Sequence, residues 1–363
     1  MSLPLKERLV YIFRFPCLFL IFLYQDIYCW FKRKKTDPSI RLDGKVILVT
    51  GANRGIGKQI ASDLYKRGAK VILACRNTEA ALKACSEISN GRSDDRLVPL
   101  KLDLKSFTSI NDACSHLYST LDSLDILINN AGMFGAKDKT ITADGFEETC
   151  QVNFLAPCLL TYNLIPLLSK STFGARVIMI SSEFNLIPFS FNTDLFVPSS
   201  PDYDAILNYA MTKFALNGFV LKMASLLKDT NITINSVHPG CVKTDIVGKG
   251  SSWTTRFSNR FQQAFRGVSL ETGAIGPVYL AVEPSMHKVS GHYFVSNIEF
   301  SPNKRLLQES VQNCIWNFME PCLLSYKIDC NSNKETTDFP IPNQSSNCHL
   351  TKNTKHSLDI NIH

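Results

Sequence analysis

Twelve cysteines are scattered through the 363 residues, and no two of them stand in a C-x-x-C spacing. That absence argues against a zinc site and against a disulfide framework, and it fits a reducing compartment. Positive charge is not massed either. The formal charge of +7 is spread along the chain, with one basic block, Lys32, Arg33, Lys34 and Lys35. Nucleic acid is therefore not an expected partner. Nor is there a run of ~20 uninterrupted apolar residues, the length a clean membrane span requires. Residues 9–31 come nearest, but Arg14, Gln25 and Asp26 interrupt them and leave 15–24 as the longest wholly apolar run.

What the chain does have begins at residue 46, with V-I-L-V-T-G-A-N-R-G-I-G. An apolar run ends at Thr50, three glycines follow (Gly51, Gly55, Gly57), and the pattern then turns helical. A helix N-terminus presents unpaired N–H groups and partial positive charge to an anion, and glycines let the backbone approach it closely. The spacing is T-G-x-x-x-G-x-G, not the G-x-G-x-x-G fingerprint. With no Lys-Ser or Lys-Thr after the glycines, it is not a P-loop. A phosphate-binding turn and a plain strand-to-helix turn both remain open on this stretch alone.

Strand and helix patterns alternate from there. Strands are expected at 45–50, 70–75, 97–102, 124–129, 175–181 and 233–238, and helices at 55–67, 78–89, 106–121, 145–169 and 203–227. The strands are continuous in Val, Ile and Leu, as in a parallel sheet buried on both faces. The alternation implies an α/β, doubly wound parallel sheet. Ligands of such sheets bind at the carboxyl ends of the strands. The residues there are Thr50 and Gly51, Cys75 and Arg76, Asp103, Asn129 to Gly132, Ser181 and Ser182, and His238, Pro239 and Gly240.

Three regions are expected. Residues 1–40 form a hydrophobic anchor with a basic flank. No small-residue cleavage site follows the apolar run, and Tyr28, Trp30 and Phe31 beside cations suit a membrane interface with the main domain on the cytosolic side. A partner-binding hydrophobic helix is the alternative. Residues 41–318 form the catalytic domain, with a lid at about 244–270 where aromatics and arginines alternate. Residues 319–363, rich in Asn, Ser, Thr and Lys, are expected to be a disordered tail.

Taken in order, the motifs T-G-A-N-R-G-I-G at 50–57, N-N-A-G at 129–132, Asn153 in Q-V-N-F, the serine pair 181–182, Y-A-M-T-K at 209–213 and H-P-G at 238–240 resemble the short-chain dehydrogenase/reductase family over about 250 residues. I-L-A-C-R-N, V-H-P-G-C-V-K-T-D-I and the apolar N-terminus are most similar to its membrane-anchored retinol dehydrogenase branch. The chain departs from simpler members in the interval from Ser182 to Tyr209, 27 positions against about a dozen.

The resemblance implies a Rossmann fold, an NAD(P)-dependent oxidoreductase, and Asn153, Ser182, Tyr209 and Lys213 as the catalytic set. The chemistry is consistent with it. A tyrosine with an ordinary pKa of ~10 needs help to exchange protons at neutral pH, and Lys213, one helical turn on, can supply a cation. Ser182, preferred over Ser181 by the resemblance, would hold the substrate oxygen, and Asn153 a water beside Lys213. His238 is expected to be structural or to line the cofactor, and Cys241 to fill apolar space.

The cofactor is expected around Gly51, Asn53, Arg54, Gly55, Ile56 and Gly57, with Asp103 and Leu104 at the adenine and Asn130 and Gly132 alongside. Tyr209, Lys213, Pro239, Gly240 and Thr244 complete its contacts. The second strand ends in Cys75-Arg76 where NAD enzymes place an acid, so Arg54 and Arg76 favour the 2′-phosphate of NADP over NAD. No metal is expected. The substrate is expected to be a lipophilic alcohol or carbonyl, a retinoid, steroid, polyprenol or other lipid. The enzyme is expected at the endoplasmic reticulum membrane, with a homodimer among its partners. A catalytically inactive binding scaffold and a cytosolic carbonyl reductase are the alternatives.

Overall fold

Within each apolar run, side chains alternate between two faces, and both faces are buried. Ile47 and Val49 pack with Val71, Leu73, Ile126 and Ile128 on one side, while Leu48 packs with Ile72, Leu127 and Val177 on the other. The computed structural model describes residues 5–33, 36–196, 203–243, 260 and 262–328, apart from the side chains of 5–16.

The strands are β1 (Val46–Thr50), β2 (Lys70–Cys75), β3 (Leu97–Lys101), β4 (Ile126–Asn129), β5 (Ala175–Ile180), β6 (Ile232–His238), β7 (Tyr293–Val295) and β8 (Ile298–Phe300). They form one sheet in the order β3-β2-β1-β4-β5-β6-β7-β8. Every neighbouring pair is parallel except β7 with β8, which is antiparallel. The order reverses between β1 and β4, and this opens a crevice at their carboxyl ends.

The helices are α1 (Leu5–Lys32), α2 (Gly55–Lys66), α3 (Thr78–Ile88), α4 (Phe107–Thr120), α5 (Ala156–Ser169), α6 (Ala205–Leu226), α7 (Leu270–Val282) and α8 (Glu309–Ser325). α2, α3 and α7 cover one face of the sheet, and α4, α5, α6 and α8 cover the other. Starts are set by side-chain caps: Asn77 accepts from Ala80 N–H, Ser106 from Ser109 N–H, and Asp204 from Ile206 and Leu207 N–H. Each such cap contributes about 1 kcal/mol.

Two expectations change. The helix expected from 145 begins at Glu148 and passes through a π-helical turn, Gln151–Leu155, before α5. The expected tail boundary at 318 falls inside α8, which buries Met319, Cys322 and Leu323 against the core. Their helical spacing with Ile315 makes one apolar stripe, which the polar residues between them hide in the sequence. Residues from 329 onward lie outside the described ones. Nine described cysteines are free thiols, and Cys314 is disulfide-bonded.

α1 lies against the domain. Leu18 and Phe22 pack on Ile187 and Ala210, and Cys29 packs on Tyr293 and Val295, where its thiol donates to the Val295 carbonyl at 3.4 Å. Its other face is apolar and open: Leu20, Tyr24 and Ile27 are exposed, and Trp30 and Phe31 are 75% and 77% exposed. Among the described residues, the one helical stretch long and apolar enough to cross a membrane is Glu148–Ser169, and 83% of its apolar window is buried in the core.

Candidate active site

The glycine turn is braced from the neighbouring strand. The Thr50 hydroxyl accepts from the Asn130 and Ala131 N–H groups at 3.0 and 2.9 Å, and the Asn130 side chain donates to the Thr50 carbonyl at 2.8 Å. Gly51 sits at φ +65°, which a side chain resists. A Cβ on Gly57 would strike the Asn130 amide and the Gly51 carbonyl. Arg54 is the extended N-cap of α2 and offers no side-chain cap. The N–H groups of the first turn are thus left for an anion.

The other expected cofactor contacts gather at the same edge of the sheet. Asn53 and Ile56 lie half-buried in the turn. Asp103, just past β3, accepts from the Lys105 N–H at 3.0 Å, and Leu104 is buried. Pro239 and Gly240 follow β6, with Gly240 at φ +89°. A Cβ on Gly132 would approach Asn153 Oδ1 and Lys213 Nζ, so the glycine keeps space open between that loop and α6. Thr244 and most of the expected lid lie outside the described residues.

Arg54 and Arg76 are both exposed, at the ends of β1 and β2. Lys105 is a neighbouring cation, missed in the sequence. Burial first, and the Arg76 charge next, lower its ammonium pKa. A phosphate there would relieve that repulsion. Residues and charges together fit a nicotinamide dinucleotide. A cleft of ≈ 570 Å³ leads outward from Asn53, Arg54 and Gly55 between α2 and α3; Tyr209 does not line it.

The four catalytic candidates converge. Tyr209 and Lys213 stand one turn apart on α6, and Ser182 follows β5; all three are buried. The Ser182 hydroxyl lies close enough to Tyr209 to favour its ionised form, and it accepts from the Phe184 N–H at 3.3 Å. Ser181 makes no hydrogen bond with its buried hydroxyl. Lys213 Nζ donates to the Ile180 carbonyl at 2.8 Å and stands 5.8 Å from the centre of the Tyr209 ring. Phe134 and Phe184 flank that ring at 4.9 and 5.8 Å.

The expectation that Lys213 lowers the Tyr209 pKa is not what the site shows. Burial pushes the phenol up to about 12, against the lowering effect of Ser182, and the Glu183 charge adds to the rise. Burial also brings Lys213 down to about 8. Desolvation dominates at both groups, so Tyr209 holds its proton at neutral pH.

Asn153 lies in the π turn. Its Oδ1 accepts from the Met133 N–H at 2.8 Å, and its Nδ2 donates to the Met133 carbonyl at 2.7 Å. The side chain therefore braces the N-N-A-G loop. Single π turns of this kind recur at functional sites because they free backbone groups from the helix ladder.

Beneath Ser182 is a charge cluster that the sequence reading missed. Arg266 donates to both oxygens of Glu183, at 2.9 and 2.6 Å, and to Asp26 of α1 at 2.5 Å. His238 lies 3.6 Å from Glu183, longer than a hydrogen bond. Burial alone would raise the Glu183 carboxyl pKa; His238 and Arg266 bring it below its usual value. One signal in the sequence could have flagged it, an acid placed directly after the serine pair.

A model of the short chain dehydrogenase family matches residues 45–194 and 197–255. Curated relatives include mouse retinol dehydrogenase 14, 35% identical over 78% of this chain and 87% of its own length. Human retinol dehydrogenase 12 is 34% identical over 77% and 86%. Among solved structures, a dehydrogenase/reductase from Sinorhizobium meliloti is 29% identical, with a TM-score of 0.56 over 71% of this chain and 95% of that one. A protein from Mycobacterium paratuberculosis shares the fold at 22% identity, with a TM-score of 0.63 over 85% and 100%.

Proposed function

The chain belongs to the short-chain dehydrogenases, in their retinol dehydrogenase branch, and from that premise we propose that it is an NADP(H)-dependent enzyme reducing a lipophilic aldehyde or ketone to its alcohol. The family acts on CH–OH groups with NAD(P); the finer reading rests on the geometry at Tyr209. A buried phenol that keeps its proton at neutral pH, with Ser182 beside it, is suited to protonating a carbonyl oxygen as it gains negative charge. When bound, the nicotinamide supplies the hydride. Ser182 positions the oxygen toward Tyr209. Lys213, beside Gly132, provides a cation at the same place. With its side chain committed to Met133, Asn153 would hold water by its main chain.

The 2′-phosphate of NADP would lie against Arg54 and Arg76, with Lys105 close by. A lipophilic substrate is supported by the exposed apolar face of α1, which we read as lying in the membrane interface rather than crossing it. The relatives' name suggests a retinoid. The observation that carries the reading is the meeting of Ser182, Tyr209 and Lys213 in one buried site. It is tested by incubating membranes carrying the full chain with retinal, other long-chain aldehydes and steroid ketones, each with NADPH and with NADH. Turnover of a lipophilic carbonyl with NADPH is expected; absence of turnover with every member of the panel would overturn the proposal.

A further inference from the structure

The buried cluster at Arg266 joins three distant parts of the chain. Asp26 is on α1, Glu183 directly follows Ser182, and Arg266 ends the helical stretch 262–266. The Arg266 and Glu183 side chains are 3% and 5% exposed, and Asp26 is 25% exposed. A guanidinium has five donors in a fixed plane. Here two point at Glu183 and one at Asp26, so its orientation sets both carboxylates at once.

A second, apolar path runs beside the first. Phe22 of α1 stacks on Phe184 at 6.3 Å, Phe184 meets the Tyr209 ring edge-on, and the Arg266 guanidinium lies 5.6 Å from the Phe22 ring. Phe184 is also the residue whose N–H donates to the Ser182 hydroxyl. Both paths start on α1 and end at the residues that would handle the substrate oxygen. A helix serving only as a tether would have no need of a half-buried charge on this face. Asp26 also spoils the apolar run of α1, a cost to a membrane segment that its bond to Arg266 accounts for.

We infer that Asp26, Arg266 and Glu183 form a positioning triad through which α1 holds Ser182 and Tyr209 in their working geometry, so that the N-terminal helix is part of the catalytic unit. This rests on the proposed role of Ser182 and Tyr209. None of the three touches a reacting atom. They act through the Ser182–Ile187 segment, fixing the backbone that carries the serine. Glu183 brings a negative charge beside Tyr209, and Arg266 balances it.

The test uses the full chain in detergent micelles, with Asp26→Asn, Arg266→Lys, Arg266→Met and the double variant Asp26→Asn/Arg266→Met. Hydrogen–deuterium exchange reads the backbone directly and needs no substrate. Asp26→Asn and Arg266→Met should each speed exchange at residues 183–187 while the amides of β1 and β4 keep their protection. For carbonyl reduction, kcat should fall about tenfold in Asp26→Asn and further in Arg266→Met, with the KM for cofactor unchanged. Arg266→Lys should recover part of the loss, and the double variant should be no worse than Arg266→Met, as expected of residues acting as one unit. Parent-level exchange and kcat in Asp26→Asn would overturn the triad. So would faster exchange spread evenly over the sheet, which would mark a clamp that merely stabilises the fold. A parent chain that turns over no lipophilic carbonyl sinks the functional reading, and the exchange measurement still decides the triad.

Discussion

The Lys213 ammonium, on α6, is tied by a 2.8 Å hydrogen bond to the Ile180 carbonyl, two residues before Ser182 on β5. The bond fixes the lysine but does not repay its burial, which lowers its pKa from 10.5 to about 8. Between pH 8 and 10.5 the unfolded chain binds a proton that the folded site has lost. This contribution to stability therefore rises with pH across that window and is least favourable below it. Lys213→Met should accordingly stabilise the cofactor-free protein at pH 7 by ~1–3 kcal/mol, after allowing for the bond lost at Ile180. The gain should fade toward pH 10.5, and the variant should lose turnover and some cofactor affinity. Thermal unfolding across that range checks it; a destabilised variant at pH 7 would refute the account.

Tyr209→Phe removes the proton donor and keeps the ring between Phe134 and Phe184. Turnover should fall by ~10²–10⁴-fold, while cofactor binding, followed by nicotinamide fluorescence, stays near the parent value. The phenol's raised pKa has its own consequence. Between pH 10 and 12 the folded site keeps a proton that the unfolded chain has released, so the Tyr209 contribution to stability falls with pH there. Tyr209→Phe should flatten that fall. Full activity in the variant would reject the mechanism.

Local signals made most of the sheet legible. The runs at β1 to β6 are short, rich in Val, Ile and Leu, and separated by helical patterns, so each strand announces itself by hydrophobic periodicity. Glycine spacing and the Tyr209–Lys213 interval likewise reflect one turn or one helix face. What escaped depends on distant partners. Asp26 reads as a flaw in an apolar segment until Arg266 is placed against it, 240 positions away. Gln25, another interruption, is buried on the protein side of α1. Met319 and Cys322 look like scattered apolar residues in a polar tail until α4, α5 and α6 provide the surface that buries them. The sign of the Tyr209 shift also could not be read in advance, because desolvation depends on how the completed core closes around it.

Arg76→Asp should move cofactor preference toward NADH. The change removes a cation from the proposed 2′-phosphate position and supplies a carboxylate that can accept from a ribose hydroxyl. It also relieves Lys105, whose ammonium is held down partly by the Arg76 charge. The expected outcome is a fall of ~10²-fold or more in the ratio of kcat/KM for NADPH to that for NADH, read with the same carbonyl substrate. A parent enzyme that already prefers NADH would show that Arg54 and Arg76 are surface charge.

The two faces of α1 should respond differently to mutation. On the outer face, Trp30 and Phe31 are 75% and 77% exposed, and a bilayer interface would bury them. Burial of a large apolar side chain contributes about 1.5–3 kcal/mol, so Trp30→Ser/Phe31→Ser should weaken binding to phosphatidylserine-containing vesicles by ~10²-fold or more. Thermal stability should hardly change, because neither side chain packs on the domain. On the inner face, Phe22 is 3% exposed and packs against Ile187 and Ala210. Phe22→Ala should cost about 3–5 kcal/mol of stability and leave vesicle affinity of the folded protein nearly unaltered. Removing residues 1–33 should combine the effects, releasing the chain from vesicles and uncovering Ile187, Ala210, Tyr293 and Val295. Sedimentation with vesicles and thermal melts separate the two faces. If the Trp30→Ser/Phe31→Ser chain still sediments with vesicles in high salt, the exposed face of α1 is not the membrane contact.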